Sequence, residues 1–295
     1  MQKISRVTHT IKATFKSLIG FGHLRRFARN RGAAAGLVVI VGLVITSLGA
    51  EYMTPYSPLR TLTGEAFEPP NYNHPLGTDH LGRDIYSGIL YGTRISLLVG
   101  FSVATASFII GVFVGSIAGY LGGRADNLLM GFTEIFLIIP SFFLALIFCV
   151  MLGNNINNII IVLSFLSWPA TARLTRAEFL SLKEWSFVEA VEALGARKLD
   201  VIFKEILPNA IGPAVVNGTL QISSAILVEA GLSFVGVGDP NVISWGQMLM
   251  NAQRYLTRAW WMAIFPGLAI FVSCLAFNLV GDGLSDALNP RLRER

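Results

Sequence analysis

Four side chains able to bind a metal ion share one polar stretch of the sequence: His74, Asp79, His80 and Asp84. Histidine and carboxylate side chains at this spacing suggest a metal site, although on a glycine-broken loop the signal is weak. Glycines break the stretch repeatedly, and carboxylates in such loops commonly hydrogen-bond the loop's own turns. We favour this second interpretation, in which Asp79, Arg83 and Asp84 hold the loop and no metal is bound.

Two further carboxylates lie inside apolar runs. Glu229 is close to the end of one run, and a carboxylate within a membrane costs about 2.5–3.5 kcal/mol on insertion scales. Two interpretations of Glu229 remain open: a residue of a transport pathway or gate, and an interhelical hydrogen bond near the outer interface. For Glu134, in an earlier run, we favour a structural role.

Sequence motifs for ATP hydrolysis or covalent catalysis are absent. The chain contains no Gly-Lys dipeptide, which excludes a phosphate-binding Walker loop, and it has no nucleophile elbow, HExxH or dinucleotide-binding fingerprint. Its two cysteines, Cys149 and Cys274, lie in apolar runs and are expected to pack as small hydrophobic residues. We therefore predict that the chain is not an enzyme and binds no cofactor or metal.

The elements that position these residues are apolar. Hydrophobic residues make up 53% of the chain and charged residues 14%, against about 25% charged in soluble domains. A helix needs about 20 apolar residues to cross a bilayer. The pattern predicts an all-α integral membrane protein with six transmembrane helices, at about 32–50, 95–120, 128–152, 159–172, 211–235 and 261–280.

Charge bias predicts the orientation of these helices. Residues 1–31 contain eight Lys or Arg and no acidic residue, and they form a basic segment with amphipathic spacing. Positive flanks stay on the cytoplasmic side, and six crossings return the chain there. We expect segment 1–31, segment 173–209 and the tail 291–295 to be cytoplasmic, and loops 51–93 and 236–260 to be extracytoplasmic. The five helices of 94–290 form the core of a multi-pass plasma-membrane protein.

Segment 173–209 is a charged stretch between apolar runs, and we interpret it as a compact knob that enters a groove of a partner protein. Six basic and six acidic residues balance, which argues against nucleic-acid or polybasic lipid binding. Helix formers around Ala190 are followed by Gly195, and Pro208 closes the segment, so we predict helix, bend and helix. Glu189 offers a carboxylate to a basic partner. An ordinary cytoplasmic loop with an amphipathic helix is the alternative.

Glycine recurs every fourth residue in the second predicted span, at Gly111, Gly115 and Gly119. This spacing places a smooth stripe on one helix face, where another helix backbone can approach closely. Pro140 and Pro169 lie inside later spans. Each is expected to be a static kink or a hinge.

The chain resembles the second (C-type) permease of dipeptide, oligopeptide and nickel ABC importers. The similarity runs from about Pro55 to the last residues, although Val191 and Asn289 replace the family's usual alanine and aspartate. It is carried by Glu189-Ala190, Gly195 and Leu207-Pro208, and by the stretches 74–84, 92–97, 168–176, 229–234, 244–246, 266–270 and 278–290.

The resemblance implies that Glu189, Ala190, Gly195, Leu207 and Pro208 form the surface that couples to an ATPase. It also implies a homologous permease subunit, two ATPase subunits that bind ATP and Mg, and an extracytoplasmic binding protein. Two other classes remain: an ion-coupled secondary transporter, and a membrane enzyme that uses the His/Asp cluster. The sequence does not name the solute, since such importers carry peptides, nickel or oligosaccharides.

Overall fold

Nine helices account for most of the computed structural model, which describes residues 27–288. No strand occurs within that range. Five helices are long and apolar enough to cross a membrane, and a sixth crossing is available from a bent pair. The predicted all-α membrane fold is confirmed. The helices are α1 (Arg31–Met53), α2 (Ile85–Leu121), α3 (Gly123–Ile138), α4 (Ser141–Leu152), α5 (Ile156–Lys183), α6 (Ser186–Ala193), α7 (Lys198–Phe234), α8 (Trp245–Ala252) and α9 (Trp261–Leu288).

The glycine stripe of α2 packs against α5 of the same chain. A Cβ atom added at Gly111 would lie 2.5 Å from the Cβ of Thr171, and one at Gly119 would lie 2.5 Å from the Cβ of Phe179. At Gly115 the added atom would meet the carbonyl oxygen of Ala172. Contacts advance in the same direction along both helices, so α2 and α5 are parallel neighbours.

This parallel packing determines what the bent pair does. Helices α3 and α4 connect α2 to α5 and are bent by 86° at Ile139–Pro140. Since α2 and α5 run the same way, the connection between them must return the chain to the other side of the bundle. Helices α3 and α4 therefore form one broken crossing, and the bundle has six crossings.

The remaining helices alternate in direction. Helix α7 runs against α2, because Gly100 faces Ile222 and Ile226 whereas Gly218 faces Phe108. Helix α9 runs against α7, and α1 runs against α9, with Gly36 beside Leu279. The start of α1, the end of α9 and residues 184–197 therefore share one end of the bundle. Residues 54–84 and 235–260 lie at the opposite end.

Several helix ends differ from the predicted spans. Helix α2 begins at Ile85, ten residues before the predicted 95, because the Asp84 side chain accepts a hydrogen bond from the backbone N–H of Ser87 and caps the helix. Loop 51–93 is thus partly helical. The third predicted span, 128–152, begins earlier and is interrupted at Ile139–Pro140, because proline is disfavoured inside a helix.

The fourth and fifth spans are longer than their apolar cores. Helix α5 covers Ile156–Lys183 where 159–172 was predicted, because Arg176 donates two hydrogen bonds to Asp126 at 2.5 and 2.6 Å and its charge is compensated. Segment 173–209 consequently shares residues with both α5 and α7. Residues 1–26, most of the predicted basic segment, and the predicted tail 291–295 lie outside the described residues, as does Asn289.

Candidate functional site

The short helix α6 and the turn after it form a projection at the end of the bundle shared by the start of α1 and the end of α9. The N–H groups of Leu194 and Gly195 donate to the carbonyls of Ala190 and Glu192, which closes the helix. Gly195 has a φ of 77°, a left-handed conformation that favours glycine at a helix end. The chain then reverses into α7 at Lys198. The predicted helix, bend and helix are therefore present, and we call residues 184–197 the coupling turn, after the role that the sequence resemblance implies for them.

Apolar packing holds the coupling turn against the bundle. Val188 is fully buried in a cluster with Tyr120, Phe179, Val201 and Ile206. Val191 lies on the same inner side and packs against this cluster. The branched side chain at Val191 therefore fills an internal contact, and it does not belong to the exposed face of α6.

Two hydrogen bonds add a polar attachment to α2. The phenolic hydroxyl of Tyr120 donates to Glu192 Oε1 at 2.7 Å, and Lys183 Nζ donates to the Tyr120 carbonyl at 2.7 Å. The end of α5, the end of α2 and helix α6 are thereby connected through Tyr120. The coupling turn is therefore attached to α2 and α5 together.

The opposite face of the coupling turn is exposed. Glu189, Ala190 and Gly195 all lie on it, and Leu194 is 87% exposed. No atom lies within 4 Å of a Cβ position at Gly195, and Glu189 has no ion-pair partner within residues 27–288. The Glu189 carboxylate and the Leu194 side chain are therefore both accessible on this face.

Leu207 and Pro208 are separate from this exposed face. Leu207 packs against the inner cluster and Pro208 is half-buried. Sequence reasoning placed Pro208 at the close of the segment, and this was wrong, because α7 continues through it. A π-helical turn at Val201–Ile206 precedes the proline, and the Asn209 side-chain amide donates to the Glu205 carbonyl at 2.7 Å.

Glu229 is almost completely buried near the opposite end of the bundle. Its Oε1 atom accepts hydrogen bonds from the hydroxyls of Ser233 at 2.7 Å and Ser244 at 2.8 Å. Ser244 is also the N-cap of α8, so Glu229 connects α7 to α8. These contacts are the interhelical hydrogen bonds of the structural interpretation of Glu229. A gating role for Glu229 stays a prediction.

The loop carboxylates are engaged within the outer segment. Asp84 Oδ1 lies 2.9 Å from His74 Nδ1, and Asp79 Oδ1 accepts from the N–H groups of Leu81 and Arg83 at 2.7 and 2.9 Å. The His80 ring stacks on Tyr255 with ring centres 5.2 Å apart. Within residues 27–288 there is no group of three ligands arranged for a metal ion. The Asp79 contacts are the turn-forming hydrogen bonds predicted for this loop, and Asp84 pairs with His74. Arg83 contributes through its backbone, since its buried side-chain Nε has no hydrogen-bond partner within the described residues.

Comparison with known proteins decides the family. Residues 111–294 match the family described as the binding-protein-dependent transport system inner membrane component. The chain belongs to this family. Residues 22–70 also match the N-terminal transmembrane domain of oligopeptide transport permease C.

Named relatives cover most of this permease. The di/tripeptide transport system permease of Pseudomonas aeruginosa is 39% identical over 97% of the chain and 98% of its own length. The oligopeptide transport system permease of Bacillus subtilis is 38% identical over 91% of the chain and 88% of its own length. The glutathione transport system permease of Pectobacterium atrosepticum is 39% identical over 91% and 90% respectively.

Family membership confirms the predicted class. The chain is a multi-pass membrane permease of the ABC-importer type and is not itself an enzyme. The ion-coupled secondary transporter is not favoured, since the family consists of binding-protein-dependent permeases.

Proposed function

We propose that this permease imports peptides and forms half of their translocation pathway, with a homologous permease forming the other half. Two ATPase subunits bind the ATP and Mg, and an extracytoplasmic binding protein delivers the solute. The proposal is supported by relatives named for di/tripeptide, dipeptide and oligopeptide transport. This chain itself is proposed to bind no cofactor.

The coupling turn is the proposed ATPase-docking surface. The observation that carries this proposal is its combination of a fixed inner face and a free outer face. Val188 and Tyr120 attach the turn to the bundle, whereas Glu189, Ala190, Leu194 and Gly195 are free to bind a partner. Leu207 and Pro208 are proposed to act indirectly, by supporting the start of α7.

The end of the bundle that carries the coupling turn is proposed to be cytoplasmic. ATP is a cytoplasmic substrate, so an ATPase-docking surface has to lie there. The start of α1 lies at this end, and the sequence before it is basic, as the positive-inside rule expects of a cytoplasmic flank. Both termini are accordingly proposed to be cytoplasmic, with residues 54–84 and 235–260 outside.

Measuring which energy source drives uptake distinguishes an ATP-driven importer from an ion-coupled transporter. We expect vesicles containing the complete assembly and its binding protein to accumulate labelled trialanine when ATP and Mg are supplied. An imposed proton or sodium gradient without ATP should give no uptake, because the family couples transport to a separate ATPase. Uptake that requires the gradient and survives ATP removal would establish the secondary-transport alternative.

A further inference from the structure

The break between α3 and α4 exposes irregular backbone at membrane depth. Helix α3 has 16 residues and α4 has 12, so at about 1.5 Å per residue neither crosses a ~30 Å core alone. The junction therefore lies within the bilayer. No side chain caps the start of α4, and Ile139, Pro140 and Ser141 are exposed.

Exposed irregular backbone does not face lipid. Hydrocarbon offers no hydrogen bonds, so such backbone occurs in membranes only where it contacts protein or lines a water-filled cavity. A cavity of about 320 Å³ adjoins the break, and residues of α5 and α7 form its other walls. We call it the mid-membrane cavity.

The polar atoms of the mid-membrane cavity are all uncharged. Its hydroxyl and amide side chains come from three walls: Ser141 on α4, Ser167 on α5, and Gln221 and Ser224 on α7. The remaining lining is apolar, and it includes no Asp, Glu, Lys or Arg. Gln221 donates to the Ser167 carbonyl at 2.7 Å and joins the α5 and α7 walls, whereas Ser224 is exposed.

A second cavity along α3 and α5 contains charged side chains of both signs in equal number. This cavity of about 250 Å³ lies nearer the start of α3 and is lined by two acidic and two basic side chains, Asp126, Glu134, Arg173 and Arg176. Asp126 and Arg176 are paired with each other. Neither cavity therefore presents an excess of one sign of charge.

A lining of this kind matches what all peptides share. Every peptide has backbone N–H and C=O groups, which hydroxyls and amides can bind, whereas its side chains vary in charge. A fixed charge in a low-dielectric passage would repel peptides of its own sign. We infer that the mid-membrane cavity forms part of the translocation pathway and passes peptides irrespective of their charge by contacting their backbone. This inference rests on the proposed peptide import.

Placing a charge in the cavity tests the inference. Ser224→Asp and Ser224→Lys alter an exposed side chain for which the structure gives no hydrogen bond. Uptake of trialanine, Ala-Glu-Ala and Ala-Lys-Ala would be measured in vesicles with the complete assembly, ATP and saturating peptide. The unaltered permease should carry the charged peptides at rates within about threefold of trialanine, the spread expected when no fixed charge acts on them.

We expect opposite selectivity in the two variants. Ser224→Asp should lower Ala-Glu-Ala uptake about tenfold relative to trialanine, and Ser224→Lys should lower Ala-Lys-Ala uptake by a similar factor. Ser141→Asp and Ser141→Lys, on the α4 wall, should reproduce the pattern, and they decide the question if the Ser224 variants do not assemble. Ser181→Asp, an exposed change outside the cavity, should leave the ratios unaltered.

Unchanged ratios in variants that still transport trialanine would overturn the inference and leave peptide import intact. Strong charge preference in the unaltered permease at saturation would also overturn it. Absence of all three tripeptides from the vesicles, despite ATP hydrolysis by the assembly, would instead contradict the proposed substrate class on which the inference rests.

Discussion

Replacing Leu194 with aspartate should release the ATPase subunits and abolish most ATP-driven uptake. Leu194 is 87% exposed at the tip of the coupling turn, so its replacement disturbs little inside this chain. Burying a leucine against a partner contributes about 1.5–3 kcal/mol, and an unpaired buried carboxylate costs more. A loss of about 3 kcal/mol corresponds to roughly a hundredfold weaker docking.

The readouts are co-purification of the ATPase subunits and trialanine uptake in vesicles. Leu62→Asp is the matched control, because Leu62 is 82% exposed but lies at the opposite end of the bundle. Its left-handed backbone, with a φ of 57°, also tolerates aspartate. Full retention of the ATPases and full uptake by Leu194→Asp would remove the docking role of the coupling turn. Gly195→Trp is a less clean probe, because its φ of 77° would add backbone strain.

Gly115→Leu should be the most damaging change within the bundle. An added Cβ atom would meet the Ala172 carbonyl oxygen and lie 2.8 Å from the Thr175 Cβ. Backbone atoms cannot rotate away, so α2 and α5 would have to separate along the whole glycine stripe. Overpacking typically lowers the free energy of unfolding by about 1–3 kcal/mol, and we expect a loss of about 3 kcal/mol or more at this site.

Thermal unfolding of the purified permease in detergent measures this effect. Gly42→Leu makes the same change at an exposed position of α1, where no atom lies within 4 Å of the added Cβ, and it should unfold close to the unaltered protein. Equal unfolding temperatures for the two variants, with normal assembly, would show that close approach of α2 and α5 does not stabilise the fold.

Hydropathy was sufficient to predict the number of crossings, because a run of about 20 apolar residues is long enough to span the hydrocarbon core and is typical of a transmembrane helix. It did not predict the shape of the third crossing. The apolar run continues through Ile139 and Pro140, so composition gives no sign of an 86° bend, and proline alone is compatible with a kink or a hinge. Proline accounts for the interruption of the helix, but the size of the bend depends on where α3 and α4 pack in the folded bundle, which a single sequence does not display.

Only part of the candidate site could be predicted, because contacts between distant residues are not visible in one sequence. Glu189, Ala190 and Gly195 lie close together in the sequence, so their shared exposed face could be expected. The attachment of the turn could not, because Tyr120 and Glu192 are 72 residues apart. The pair Asp126 and Arg176, separated by 50 residues, was missed as well. Charged residues near span ends were the available signal, but their partners depend on which helices are neighbours.

The most direct measurement of the central claim is photocrosslinking from position 194. A photoreactive amino acid would replace Leu194 in the complete assembly, and Leu62 would carry the same group as the control. We predict that position 194 crosslinks to an ATPase subunit and that position 62 does not. Crosslinking of position 194 to lipid or to no subunit, in an assembly that hydrolyses ATP and takes up trialanine, would contradict the claim that the coupling turn docks on the ATPase.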